Sequence, residues 1–133
     1  MSTFTISADK KPSAANLQLL FSQTTWAKKR SLEDIEVLLK SIGIFTTVWS
    51  DGKLIGFGRA LSDGVYRALI EDVVVDEAWR GRGVGKAVVA SLMDQLTDIE
   101  EVFLHTRDHL IPFYEDAGFD MYDGITMKRP GSD

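Results

Sequence analysis

The alternation of apolar and polar positions divides the first third of the chain into a short strand and two helices. Residues 4–8 alternate with the period of a strand, and residues 14–28 carry apolar side chains at helical spacing. Ser31 and Asp34 match a capping box, and the apolar positions that follow form one stripe of a second helix. We expect this helix to end at Gly43, because glycine readily takes the left-handed conformation that follows a helix C-terminus.

The middle of the chain has the pattern of a three-stranded antiparallel meander. Residues 44–50 and 54–61 are rich in apolar and β-branched side chains and flank Asp51-Gly52, a dipeptide typical of tight hairpin turns. A second turn over residues 62–64 leads into a long strand over residues 66–75. Consecutive strands joined by short turns usually pair with each other, so these segments predict one sheet.

The last third of the chain alternates helices and strands. The pattern predicts a helix over residues 84–96, a strand over 102–105, a helix over 111–117 and a final strand over 120–128. No repeat or linker separates these elements, and 133 residues is an ordinary length for one domain. We therefore expect a single α/β (α+β) domain over residues 1–133.

Composition excludes several kinds of site and partner. The chain has no cysteine, which excludes disulfides, thiolate zinc sites and a cysteine nucleophile, and its two histidines leave little for an imidazole metal site. The formal net charge of −5 opposes sequence-independent binding to nucleic acid. No apolar run is long enough to span a bilayer, and the N-terminus lacks the features of a secretory signal. We expect no metal, no nucleic-acid or membrane partner, and a cytoplasmic location.

A glycine-rich segment between a strand and a helix carries the strongest chemical signal. A β-branched strand ends near residue 75, and residues 80–86 then place three alternating glycines before an amphipathic helix. Glycines let successive amide N–H groups approach an anion, and a helix N-terminus adds unpaired amides and the positive end of its dipole. Arg80, Arg82 and Lys86 add positive charge at the same place. The segment therefore predicts a pyrophosphate-binding site.

The spacing of these glycines excludes two common phosphate-binding motifs. A Walker loop needs four residues between its glycines and a hydroxyl residue after its lysine, whereas three residues separate Gly81 from Gly85 and Ala87 follows Lys86. The dinucleotide fingerprint fails as well, because its last two glycines are further apart than Gly83 and Gly85.

The remaining pattern resembles a known family. Arg80, Gly83 and Gly85 after a β-branched strand resemble the coenzyme A signature of the GNAT superfamily of N-acetyltransferases. Residues 113–119, in which a helix tyrosine is followed by Gly-Phe, resemble the second signature of that family. The resemblance implies a mixed, mostly antiparallel sheet of about six or seven strands, flanked by about four helices and splayed at its central strands to admit coenzyme A.

Within the superfamily the chain is most similar to small cyanobacterial and plastid-type members. The similarity rests on residues 56–60, 62–64 and 72–75. Some of these members are described as arylalkylamine (serotonin) or lysine acetyltransferases. The resemblance thus implies transfer from acetyl-CoA to a primary amine, with a small arylalkylamine favoured as the acceptor. A protein lysine or N-terminal acetyltransferase and a non-catalytic acetyl-CoA sensor are the alternatives.

The resemblance also assigns residues to the cofactor. Val74 would supply the backbone N–H that stabilises the developing oxyanion, and Val73 and Val75 would pair with the amides of the pantetheine arm. The pyrophosphate would lie on the glycine-rich segment and its flanks: Arg80, Gly81, Arg82, Gly83, Val84, Gly85 and Lys86. Many members carry asparagine and alanine where this chain has Arg107 and Leu110. Arg107 would therefore either reach a phosphate or lie in solvent.

Three residues are candidates for proton transfer. Tyr114 is the family's general acid and would also contact the cofactor. Glu71 and Asp72 are both candidates for the general base, with proton transfer through water alone as a third reading. Strict alternation puts neighbouring side chains of a strand on opposite faces, whereas a β-bulge would reset that parity.

The resemblance implies that the acceptor binds between the first two helices and the loops opposite the cofactor. Aromatic side chains there can stack on an aryl ring or attract a cation. The candidates are Phe21, Trp26, Phe45 and Tyr66, and each can equally be part of the helix-packing core. The chain is expected to be a monomer or a homodimer, since the predicted strand over residues 120–128 is a candidate dimer contact.

Overall fold

The computed structural model describes residues 3–131 and contains five strands and four α-helices. The predicted fold class is confirmed, because helices cover both faces of a mixed and mostly antiparallel sheet. In chain order the elements are β1 (Thr5–Ser7), α1 (Ala14–Phe21), α2 (Leu32–Ser41), β2 (Ile44–Ser50), β3 (Lys53–Ser62), β4 (Arg67–Val75), α3 (Val84–Gln95), β5 (Glu101–Leu104) and α4 (Ile111–Asp116). No helix within residues 3–131 is long and apolar enough to cross a membrane.

The strands lie in the sheet in the order in which they follow each other along the chain. β1 to β4 pair antiparallel, and β5 joins β4 in parallel after the crossover through α3. The β2–β3 turn has positive φ at Asp51 (48°) and Gly52 (76°), as the sequence predicts. In the β3–β4 turn Asp63 accepts hydrogen bonds from the N–H groups of Val65, Tyr66 and Arg67, and these bonds lower the pKa of the Asp63 carboxyl.

The two faces of the sheet carry separate apolar clusters. α1 and α2 cover one face with residues such as Leu17, Phe21 and Ile35. α3 covers the other face with Val84, Val88 and Leu92. Below, these are called the α1/α2 face and the α3 face.

Two helices end earlier in the structure than the sequence predicts. The first helix ends at Phe21 and not at residue 28, because the Thr24 hydroxyl donates to the Phe21 carbonyl (2.8 Å) and accepts from the Ala27 N–H (2.8 Å). The second helix starts as predicted, with the Ser31 hydroxyl accepting from the Asp34 N–H at 3.1 Å. It ends at Ser41 with extended backbone at residue 42, and Gly43 has no positive φ, so the predicted left-handed glycine is wrong.

The prediction of six or seven strands is wrong, because residues 120–128 form no strand. Four apolar side chains of this segment are at least 70% exposed and so are not held against the sheet: Met121, Tyr122, Ile125 and Met127. The Tyr122 ring packs edge-on against Phe103 of β5, with ring centroids 5.3 Å apart. Within the described residues, the outer edge of β5 therefore has no strand partner.

Candidate active site

A β-bulge in the middle of β4 determines which side chains face the α1/α2 side. Asp72 has a φ of 57°, and the β3–β4 register passes from Arg59–Glu71 directly to Phe57–Val74. One residue of β4 is therefore extra between these pairs, and alternation fails there. Glu71 lies opposite Arg59, and Asp72 bonds the same arginine, so both carboxylates are on the α1/α2 face.

Asp72 is held by two arginines. Arg30 donates from Nη1 and Nη2 to the two carboxylate oxygens at 3.0 and 3.1 Å, and Arg59 donates from Nε at 2.7 Å. The Asp72 side chain is 2% exposed. Charged donors therefore occupy its oxygens, and this arrangement suits a structural anchor better than a base that must accept a proton from a substrate.

Sequence reasoning missed Arg30 and Arg59. Arg30 follows two lysines, and a short run of basic residues usually lies in solvent, but only Lys28 and Lys29 of this run are exposed. A signal was present, since an aspartate in the middle of an apolar strand needs a charged partner when it is buried. The sequence does not say which of the chain's fifteen lysines and arginines supplies it.

Glu71 is the other candidate base, and its surroundings differ. Its side chain is partly buried and makes no hydrogen bond or ion pair with residues 3–131. Of the two neighbouring carboxylates, Glu71 is thus the one whose oxygens are available to water or substrate.

A gap between β4 and β5 lies beside these carboxylates. The parallel pairing starts at Arg67–Glu101 and stops at Ile70–Leu104, whereas β4 continues to Val75 while paired only with β3. Val73, Val74 and Val75 lie in this one-sided segment. This one-sided segment is at the end of β4 that leads to the glycine-rich segment, where the central strands were predicted to splay.

The glycine-rich segment that follows β4 leaves several amide N–H groups without a partner among residues 3–131. Gly81 (φ 76°) and Gly83 (φ 86°) take left-handed conformations, and Gly83 is the N-cap of α3 with no side-chain cap. The first intrahelical backbone bond is donated by Ala87 to Gly83, so the amides of the preceding turn are free to bind an anion.

Cationic side chains surround these amides. Arg80, Arg82 and Lys86 are exposed, and the Arg82 guanidinium lies 5.1 Å from the centre of the Trp79 ring. Val84 is buried beneath α3 and contributes only its backbone at this surface. The arrangement is an uncapped helix N-terminus with three positive charges, as the sequence predicts.

Buried Asp76 holds the backbone turn that connects β4 to the glycine-rich segment. Its Oδ1 accepts from the Ala78 N–H (2.9 Å), and its Oδ2 accepts from Gln23 (3.3 Å) and lies 3.4 Å from Lys53 Nζ. Burial alone would raise the pKa of Asp76, but the bond from Ala78, the bond from Gln23 and the charge of Lys53 outweigh it, so the pKa is lowered.

α4 brings Tyr114 to the same end of the sheet. A Cβ placed on Gly85 would lie 3.4 Å from Phe113 Cζ and 3.4 Å from Val75 Cγ2, so α4, α3 and β4 meet at this glycine. The Tyr114 ring packs edge-on against Phe113 and Phe119, and burial raises the pKa of its phenol. Tyr114 therefore holds its proton at neutral pH.

Arg107 lies just beyond the C-terminal end of β5. Because the carboxyl ends of parallel strands meet at one edge of a sheet, Arg107 is on the same edge as the glycine-rich segment. Its side chain is exposed and makes no hydrogen bond or ion pair within the described part of the chain. Both earlier readings, phosphate contact and solvent exposure, fit this placement.

This geometry agrees with the comparison against protein families. Residues 12–119 match the family model described as "Acetyltransferase (GNAT) family". The chain belongs to the GNAT acetyltransferase family. Acetyl-CoA is the co-substrate of this family, so the chain is expected to act as an acyltransferase of that type.

Curated GNAT relatives come from algae and plants. The chain is 32% identical over 120 residues to the uncharacterized N-acetyltransferase ycf52 of Pyropia yezoensis, covering 86% of this chain and 68% of the relative. It is 32% identical over 118 residues to histone acetyltransferase TAP1 of Glycine max (79% and 51% covered). It is 33% identical over 95 residues to serotonin N-acetyltransferase 2, chloroplastic, of Oryza sativa subsp. japonica (70% and 46% covered).

Solved GNAT structures share the fold over almost the whole chain. Glucosamine-6-phosphate N-acetyltransferase from Arabidopsis thaliana superimposes with a TM-score of 0.79 at 24% identity, covering 98% of this chain and 99% of that one. At this identity the comparison shows the fold and not the acceptor.

The structure places the predicted acceptor aromatics in different environments. Phe21 (0% exposed) and Phe45 (4%) are in the core and present no surface to an acceptor. Tyr66 is exposed, but it precedes the start of β4 and lies about 25 Å of extended strand from Val74. Trp26 is 53% exposed, between α1 and α2, and is the one of the four that remains available beside the bulge.

Proposed function

We propose that this GNAT protein transfers the acetyl group of acetyl-CoA directly to a primary amine, with a small arylalkylamine as the favoured acceptor. One observation carries the proposal. The gap between β4 and β5 opens toward the uncapped N-terminus of α3, so a slot for an extended arm and a site for its pyrophosphate adjoin each other.

The residues around the gap fit acetyl-CoA. The free amides of residues 83–86 and the side chains of Arg80, Arg82 and Lys86 would bind the pyrophosphate, and residues 73–75 would bind the pantetheine arm. When bound, acetyl-CoA supplies an acyl group activated as a thioester. Phe113 already touches Gly85, so a larger residue at that position would narrow the approach to the helix N-terminus.

Glu71 and Tyr114 are the proton-transfer residues that we propose. Glu71 has free oxygens beside the gap and would accept the proton of the amine, directly or through water. Tyr114 Oη keeps its proton at neutral pH, because burial raises its pKa, and would donate it to the departing sulfur. Asp72 would act on neither proton, since Arg30 and Arg59 occupy its oxygens.

Two observations support a small aromatic amine as acceptor. The half-exposed Trp26 ring lies on the same side as Glu71, where it can stack on an aryl group. A relative named a serotonin N-acetyltransferase aligns over 70% of this chain. Another relative is named a histone acetyltransferase, so protein lysines and N-termini stay in the test as the second acceptor class.

The test measures acetyl-CoA binding and turnover separately. Calorimetry should show acetyl-CoA binding to the wild type, and Arg82→Ala should weaken it about 5- to 10-fold through the loss of one phosphate contact. Lys28→Ala is the matched control, since Lys28 is an exposed cation outside the site. Turnover is then followed as thiol release with arylalkylamines, polyamines, aminoglycosides and lysine peptides.

Each outcome is informative. Turnover that favours tryptamine-like amines supports the proposal, and turnover on peptides alone replaces it with protein acetylation. Tight binding without turnover on any amine would favour an acetyl-CoA sensor. A wild type that does not bind acetyl-CoA would overturn the proposal. The monomer or homodimer state and the cytoplasmic location stay predictions, and the names of several relatives place those proteins in the chloroplast.

A further inference from the structure

The segment between α1 and α2, residues 22–31, contacts Asp72 of β4 and the two residues that follow β4, Asp76 and Glu77, so its contacts lie on either side of residues 73–75. We call this segment the α1–α2 loop. It carries Trp26, the exposed aromatic on the acceptor side. Its contacts with β4 therefore join the acceptor side of the site to the strand that faces the gap.

Gln23 makes the first contact. Its Nε2 donates to Asp76 Oδ2 at 3.3 Å, and its Oε1 accepts from the Glu77 N–H at 2.8 Å. Asp76 is buried and also donates its own N–H to the Ile55 carbonyl of β3 at 2.9 Å. One amide side chain thus binds both residues that connect β4 to the turn before the glycine-rich segment.

Arg30 makes the second contact. Its guanidinium binds both oxygens of Asp72, the bulge residue, and also lies over the rings of Phe21 (4.8 Å) and Trp26 (5.6 Å). The planar guanidinium thus contacts a carboxylate and two aromatic rings at once. The ammonium group of a lysine could not make the same set of contacts. Arg30 therefore links the bulge of β4 to the exposed tryptophan.

The α1–α2 loop is fixed between these contacts. Thr24 is 8% exposed and bonds both the Phe21 carbonyl and the Ala27 N–H, and Ala27 is 2% exposed. Gln18 of α1 donates to the Arg30 carbonyl at 3.3 Å. Hydrogen bonds and burial thus hold the backbone of the loop between its two contacts.

We propose that Gln23 and Arg30 are positioning residues that make the α1–α2 loop and residues 73–75 of β4 move as one unit. This inference rests on the proposed function, because it assigns these residues to the alignment of the amine with the thioester. Neither side chain would touch the reacting atoms. Each would act through the carboxylate that it holds, Asp76 or Asp72.

Thermodynamic linkage gives this proposal a consequence that can be measured without turnover. A ligand that binds β4 in its anchored geometry stabilises every contact that maintains that geometry. Coenzyme A should therefore slow amide hydrogen exchange in the α1–α2 loop, although it would not touch that loop. Loss of one anchor should remove this remote protection.

The experiment compares hydrogen exchange with and without coenzyme A in the wild type, Gln23→Ala, Arg30→Ala and Lys28→Ala. We expect coenzyme A to slow exchange by about 3-fold or more within residues 22–31 of the wild type and of Lys28→Ala. The two anchor variants should lose this effect. They should keep protection of residues 80–86, which reports binding at the helix N-terminus.

The two regions separate the possible failures. Protection of residues 80–86 without protection of residues 22–31 in the wild type would overturn the positioning role and leave the proposed function standing. The positioning role would also be overturned if coenzyme A still slowed hydrogen exchange in the α1–α2 loop of both anchor variants. An absence of protection everywhere would mean that coenzyme A does not bind, and the proposed function would fail first.

Kinetics distinguish positioning from simple stabilisation. With an amine that the wild type acetylates, Arg30→Ala should lower kcat about 10-fold while KM for acetyl-CoA changes less than about 3-fold. Compared with Arg30→Ala, Arg30→Lys should recover more of the folding stability than of kcat, because lysine keeps the charge but not the bidentate geometry. If kcat of Arg30→Lys and Arg30→Ala followed thermal stability alone, the positioning role would be disproved.

Discussion

Gly58 of β3 lies under Val88 of α3 with no room for a side chain. A Cβ at this glycine would lie 2.6 Å from Val88 Cγ1, and also 3.0 Å from Leu92 Cδ1. This close approach lets α3 pack directly on the sheet opposite the bulge. The position of α3 therefore depends on the absence of a side chain at residue 58. The proposed pyrophosphate site at the N-terminus of α3 depends on it as well.

Gly58→Ala is expected to destabilise the protein by about 1–3 kcal/mol, because the added methyl group forces α3 away from β3. Urea unfolding followed by circular dichroism measures the change. Gly43→Ala is the control, since nothing lies within 4 Å of its Cβ position and its φ is not positive. An unchanged unfolding midpoint for Gly58→Ala would show that α3 can shift at little cost.

Asp72→Asn is expected to destabilise the protein by about 2 kcal/mol, because Arg30 and Arg59 lose the charge that they share. The value is below the 3–5 kcal/mol typical of a fully buried pair, since the Arg30 side chain is 33% exposed. Glu71→Gln should change stability by less than about 0.5 kcal/mol and should instead lower kcat. The reverse pattern, a stable Asp72→Asn with low kcat, would make Asp72 the base.

Tyr114→Phe is expected to lower kcat about 100-fold if the phenol donates a proton. Burial raises the phenol pKa above 10.0, so the protonated form persists and kcat of the wild type should not fall through loss of this proton below about pH 10. The measurement is a pH profile of kcat for both proteins from pH 7 to 10.5. A kcat of Tyr114→Phe within twofold of the wild type would exclude the acid role.

Asp76→Asn should alter acid stability. The folded-state pKa of Asp76 is lowered from 3.8, so its ionised form contributes stability above that pH and loses it as the pH falls through the lowered value. The variant should be less stable at pH 7 and should lose less stability than the wild type between about pH 5 and 3. Urea midpoints across this range test it, and parallel curves for the two proteins would contradict the assignment.

Elements set by local pattern could be predicted from the sequence. The strands of the meander and the hairpin at Asp51-Gly52 are placed to within about two residues, because alternation and turn chemistry are properties of neighbouring residues. The uncapped helix N-terminus at the glycine-rich segment could also be predicted from the sequence. Its three glycines and the helix that follows specify an uncapped N-terminus without help from the rest of the chain.

Features that depend on distant partners could not be predicted. The bulge residue Asp72 is bound by Arg30, which lies 42 positions earlier in the chain, and no local pattern joins the two. The early end of α1 has a local cause, a threonine hydroxyl that competes with the helix for backbone partners, but the apolar periodicity of the segment does not show it. Phe21 and Phe45 have the composition of an acceptor pocket, and only tertiary packing shows that they belong to the core.

The order of the strands also bears on how the chain folds. Among the strands, β2, β3 and β4 are joined by short turns, whereas β5 must return across residues 76–100 to make four parallel pairs with β4. Contacts over short sequence separations form faster than non-local pairing. We therefore expect the β4–β5 seam to close after the β2–β3–β4 meander, with faster native-state hydrogen exchange in β5 than in β3. The proposed cleft would then lie at a boundary that is less cooperative than the meander beside it.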